Sequence, residues 1–136
     1  MDIGLKELTS AELPTARFSV LENDIVLIVY KDSADEIDLK TAKNHTEVIY
    51  KLRDGKPCHI ILCFLEAHVV FSNTAREYFA QNARHSAIRL SQAFIIGGLA
   101  QKIVANFYKT FHKPSCPVEL FSDLPSAIKW TLSLEK

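Results

Sequence analysis

The sequence predicts an α/β fold: one domain with a mixed sheet of five strands and four helices. Three observations carry that expectation. The stretch from Ala93 to Trp130 reads as an apolar strand, a Gly97-Gly98 turn, a helical pattern, a short strand and a last helix. Two further unbroken apolar runs, Ile25 to Tyr30 and His59 to Leu65, have the length of buried strands. Between those runs lies a segment whose apolar residues recur at helical spacing. Strands that alternate with helices in this way pair in parallel through right-handed crossovers.

Residues 1–14 are a polar lead-in that Pro14 closes, and 15–136 form the domain. Arg17 to Glu22 alternates enough for an edge strand. Asn23-Asp24 is a hairpin turn, because both residues tolerate the left-handed backbone such turns need. Ile25 to Tyr30 follows as a buried strand. Asp38 caps a helix in which Leu39, Ala42, His45, Ile49 and Leu52 share one face. Asp54-Gly55-Lys56-Pro57 stops that helix, with glycine at the C′ position and proline beyond it. After the strand from His59 to Leu65, Ser72-Asn73-Thr74 opens a second helix. Thr74 to Glu77 has the form of a capping box, and Ala75, Tyr78, Phe79 and Ala83 make the apolar face. Ile88 to Ile96 contains the next buried strand. Leu99, Ile103, Val104, Phe107, Tyr108 and Phe111 give the third helix a broad apolar face. Val118 to Phe121 is the last strand. A helix from Ser122 or Asp123 then buries Ala127, Ile128 and Thr131, with Trp130 beside them.

Composition excludes several function classes. The chain has 136 residues, and 16 basic residues balance 16 acidic ones. It lacks the basic excess of a general nucleic-acid binder. No apolar run reaches the ~20 residues that span a bilayer. Met1 to Pro14 has no apolar core of the kind secretory signals carry. Cys58, Cys63 and Cys116 are odd in number and form no Cys-x-x-Cys pair. Reduced thiols in a cytoplasmic protein are the expectation.

Few residues assemble a chemistry. His59 and Cys63 share a strand face but stand ~13 Å apart at ~3.3 Å per residue, too far for one ion. His112 and Cys116 straddle a helix end and a proline turn, which is a weak pair. His45 fits a hydrogen-bonded structural histidine. The reading is therefore no metal and no cofactor. There is no Gly-x-Ser-x-Gly elbow and no cysteine with an evident histidine and acid, so no catalytic residue is assigned. Gly97 and Gly98, at the end of a strand and the start of a helix, are candidates for holding an anion or other ligand by backbone N–H groups. They equally permit a tight turn. Ser72 and Thr74 stand at a helix N-terminus, where free amides and the helix dipole favour a phosphate and Arg76 supplies a cation. The same hydroxyls serve equally as caps.

The hairpin followed by alternating helices and strands resembles the STAS fold of anti-sigma-factor antagonists and sulphate-transporter tails. More closely, the chain is similar to a family of small bacterial STAS-like proteins. The residues that carry the likeness are Ala93-Phe94-Ile95-Ile96-Gly97-Gly98, Ile103 to Tyr108, Lys113-Pro114-Ser115-Cys116-Pro117, Leu120-Phe121-Ser122-Asp123, and Ala127 with Trp130. Ser72 to Phe79 matches that family's second helix start, and the likeness covers about 17–132. In anti-sigma-factor antagonists a serine at this turn is phosphorylated by a partner kinase, which controls binding to that partner. The resemblance thus implies Ser72 or Thr74 as phosphoacceptor. Val70 stands where those proteins carry an aspartate, and the bulky Tyr78-Phe79 follow soon after.

The function expected is a non-enzymatic regulatory or protein-interaction module of STAS type. Its partner is a kinase-like or anti-sigma-type regulator, or a second copy of the chain. The docking surface lies around 66–79, with Glu66, His68, Asn73 and Arg76 as partner-surface candidates. The alternative is a binding module for a small anionic or apolar ligand at the strand ends and the Gly97-Gly98 turn.

Overall fold

The computed structural model describes residues 5–32, 36–65, 69–107 and 114–134. Its strands are β1 (Glu7–Glu12), β2 (Ala16–Leu21), β3 (Ile25–Tyr30), β4 (Cys58–Cys63), β5 (Arg89–Ile95) and β6 (Val118–Phe121). Its helices are α1 (Leu39–Arg53), α2 (Asn73–Gln81), α3 (Ala83–Ile88), α4 (Leu99–Phe107) and α5 (Leu124–Ser133). The strands lie in one sheet in chain order, with β1, β2 and β3 antiparallel and β3 to β6 parallel.

The mixed α/β fold is the one the sequence predicts, with two additions. The sheet has six strands rather than five, because Glu7–Glu12 of the polar lead-in pairs with β2. Its residues are exposed or half-buried, so no apolar alternation announces it. Backbone pairing holds it, helped by ion pairs from Glu7 and Glu12 to Arg17 and from Glu12 to Lys31. The second addition is α3. The Asn82 side chain accepts N–H bonds from Arg84 and His85, which ends α2 and starts a new short helix. Ala83 belongs to that helix and not to α2.

Local signals set most boundaries. Asn23 and Asp24 have φ of 66° and 58°, the left-handed pair of a two-residue hairpin. Asp38 caps α1 by accepting the Thr41 N–H at 2.9 Å. Asp54 and Gly55, at φ 53° and 75°, terminate it. Asp123 caps α5 through the Ser126 N–H at 2.8 Å.

Strand alternation splits the core in two. Val26, Ile28, Tyr30, Ile60, Leu62 and Phe94 face one side, where they meet Ala42 and Ile49 of α1, Ala75 and Phe79 of α2, and Ala105 of α4. Ile25, Leu27, Ile61, Ala93 and Ile95 face the other, against Ala127 and Ile128 of α5. Right-handed crossovers that all step the same way put every connecting helix on one face. The helix after β6, α5, folds back over the other face.

Candidate functional site

The β4–α2 and β5–α4 connections both leave the carboxyl ends of parallel strands, where open α/β sheets hold their sites. Ser72 is the N-cap of α2: its backbone is extended and its Oγ accepts the Ala75 N–H at 3.0 Å. Thr74 is not the cap, so the capping box expected over Thr74 to Glu77 does not form. Its hydroxyl lies 3.1 Å from Ser72 Oγ on an exposed part of the helix. Ser72 is half-buried and Asn73 exposed.

A parallel bridge ties this loop to the one before α1. The Ile37 N–H donates to the Val70 carbonyl at 2.8 Å, and the Ser72 N–H donates to the Ile37 carbonyl at 2.9 Å. Asp38 and Ser72, each one residue past the bridge, therefore cap α1 and α2 side by side. The Thr41 amide and hydroxyl hold the Asp38 carboxyl below the usual carboxylate range. Arg76 turns back on the loop, donating from Nη1 to the Phe71 carbonyl at 3.0 Å, while its buried Nε has no hydrogen-bond partner. Tyr30, Phe64, Phe71 and Phe79 pack ring against ring beneath this loop, so it is anchored from below. Glu66 and His68 lie outside the described residues.

Gly97 and Gly98 sit between β5 and α4, and neither has a positive φ. Glycine is thus not required there for backbone conformation. A Cβ on Gly97 would meet Leu65 Cδ2 at 3.3 Å, and one on Gly98 would meet open space. The pair lines an open cleft of about 430 Å³ together with Leu99, Lys102, Leu120 and Phe121. The helix pattern of α4 misleads in one respect. Leu99 and Ile103, expected in the core, are 74% and 61% exposed. Tyr108 and Phe111 lie outside the described residues.

The buried polar groups read as structure. His45 is 1% exposed, with Nε2 2.7 Å from Thr15 Oγ1 and its ring edge-on to Phe18. His85 is 2% exposed, with Nδ1 3.0 Å from Thr46 Oγ1. Burial pushes His45 down to about 4. Burial, then the charge of Arg89, pushes His85 down to about 3. Both are neutral at pH 7. Arg89 is buried and donates to the Phe79 and Ala80 carbonyls and to Gln92 Oε1. His59 Nδ1 lies 2.7 Å from Ser91 Oγ, and both residues are buried. Burial pushes the Cys58 thiol up to about 12, which makes it a poor nucleophile. Among the described residues no group of three His, Cys, Asp or Glu is placed to hold a metal ion. Among them, too, no helix is long and apolar enough to cross a membrane.

Among curated proteins the sequence has no significant match. The fold is similar to that of an uncharacterised protein of the DUF3478 family, with a SpoIIAA-like fold, from Shewanella loihica PV-4. The likeness has a TM-score of 0.63 at 13% identity and covers 90% of this chain and 98% of that one. It supports the STAS-like architecture that the sequence resembles. The model of a domain of unknown function, DUF7793, matches residues 19–135, and the chain belongs to that family.

Proposed function

We propose that this domain is a cytoplasmic, non-enzymatic interaction module of STAS type, docking a regulatory protein around the amino end of α2. The observation that carries the reading is the α2 cap. Hydroxyls at Ser72 and Thr74 stand together at a helix N-terminus, on a loop fixed by the Ile37–Phe71 bridge and by aromatic packing. Such a place accepts a phosphate with little rearrangement, because helix amides and the dipole favour the added charge. Thr74 is the more exposed acceptor, while Ser72 keeps its cap by accepting the Ala75 N–H. Asn73 is the exposed contact beside them, and Glu66 and His68 precede this loop in the sequence. The absence of a convergent acid, base and nucleophile among the described residues favours binding over catalysis.

Phosphosite mapping of the protein isolated from its native cells tests the regulatory part. Phosphate on Ser72 or Thr74 in a fraction of molecules is the expected result. Unmodified peptide spanning Val69 to Arg76 under every growth condition counts against it.

The small-ligand alternative draws on one observation, the cleft over Gly97 and Gly98. That cleft is open, whereas small-molecule sites enclose most of their ligand.

A further inference from the structure

Exposed apolar side chains gather around the cleft. Leu99 and Ile103 of α4 are one helical turn apart and both well exposed, so they share a face. Leu65, also exposed, reaches Gly97, where a Cβ would come within 3.3 Å of it. Leu99 lines the cleft together with Gly97, Gly98, Leu120 and Phe121. Single exposed leucines are ordinary on a protein surface. Several around one open cleft mark an interaction site.

Charge selects the occupant. Lys102 lines the cleft, is exposed, and forms no ion pair among the described residues. The first turn of α4 carries no acidic residue to offset the positive end of the helix. The α4 side of the apolar cleft is thus positive. A small ligand in the cleft leaves Leu65 and Ile103 bare, whereas a polypeptide covers cleft and flanks together. A peptide segment needs only this cleft and its flanks, whereas each partner of a stable dimer buries roughly 800 Å².

We infer that the α4–β6 cleft docks a short segment of another protein in which an acidic residue neighbours a large apolar one. The apolar side chain enters over Gly97 and Gly98, and the carboxylate pairs with Lys102. This rests on the interaction-module reading but uses residues distinct from Ser72 and Thr74. A negative result here leaves the α2 surface standing, and the reverse holds as well.

Random linear peptides displayed on phage, selected against the intact chain, are the probe. Enriched peptides are expected to combine Asp or Glu with Leu, Phe or Trp. Synthetic copies should bind about tenfold or more weakly to Leu99→Asp and Gly98→Leu. Selection on Lys102→Glu should return basic peptides instead. Leu99→Asp places an acid in the first turn of α4, where the dipole favours it, so lost binding is not lost folding. A thermal melt of each variant checks that. Three outcomes overturn the inference: no enrichment, enrichment without acidic residues, or equal binding by all three variants. Octanoate saturating the cleft where no peptide binds assigns it to small carboxylates. A dimer in sedimentation that Leu99→Asp dissociates assigns it to a second copy.

Discussion

Two buried histidines make the stability of this domain depend on pH. In the unfolded chain they titrate near ~6.5, whereas in the fold burial holds them at about 4 and about 3. Between those values the unfolded state binds more protons, so stability rises with pH. Stability is full above ~6.5 and falls as the pH drops toward 4, by about 1.4 kcal/mol per unit for each histidine. Urea titrations between pH 7 and 4.5 are expected to show this slope, and His85→Leu to roughly halve it. An unchanged slope in that variant contradicts the assignment. At Ser72 the cap is worth ~1 kcal/mol, so Ser72→Ala should lose about that much and Ser72→Asp almost none, since aspartate caps equally well. That makes Ser72→Asp a usable phosphate mimic, and denaturation of both variants checks it. His45 was legible as a structural residue because it falls on the apolar face of α1. His85 was not, because its short helix has too few residues to show a period.

Caps were the most legible features at the level of elements. Asp38, the Asp54-Gly55 stop and Asp123 each act on amides or carbonyls within a few residues, so local sequence suffices. α4 was harder. Its apolar residues recur at helical spacing, but periodicity does not tell whether a face is covered, and Leu99 and Ile103 are bare. The Asn82 junction was hidden for a related reason, because α2 and α3 together read as one apolar-faced helix. Asn82→Ala removes the acceptor for the Arg84 and His85 amides and is expected to cost ~1 kcal/mol. Gly98→Ala meets nothing within 4 Å and needs no positive φ. The Gly98 carbonyl accepts the Lys102 N–H at 3.0 Å and so opens α4, where alanine caps less well than glycine. That loss offsets the about 0.4–1 kcal/mol gained from a stiffer unfolded chain, and stability should change little. A fall in melting temperature in that variant would show that the turn needs glycine after all.

The parallel part of the whole molecule was legible, because buried parallel strands are continuous apolar runs and the crossover rule then orders them. The polar edge strand was not. β1 buries little, and its irregular register at Glu7 and Thr9, together with Glu7 and Glu12, blunts an edge that would otherwise recruit further strands. A chain lacking 1–12 should still fold on its two cores. With β2 as a bare edge it should also associate as concentration rises, which light scattering reads. The two loops proposed for binding lie at the same end of the sheet, where Leu65 reaches Gly97 and the Ile37–Phe71 bridge fixes the amino end of α2. The central claim is that this end recognises protein, under control of phosphate at α2. Its most direct test is quantitative mass spectrometry of what co-purifies from native cells with the tagged protein, with and without phosphatase, and with Ser72→Asp and Thr74→Asp. The account predicts a specific protein whose recovery changes with phosphatase and shifts in the opposite sense with Ser72→Asp or Thr74→Asp. Recovery of the same background from all four samples contradicts it.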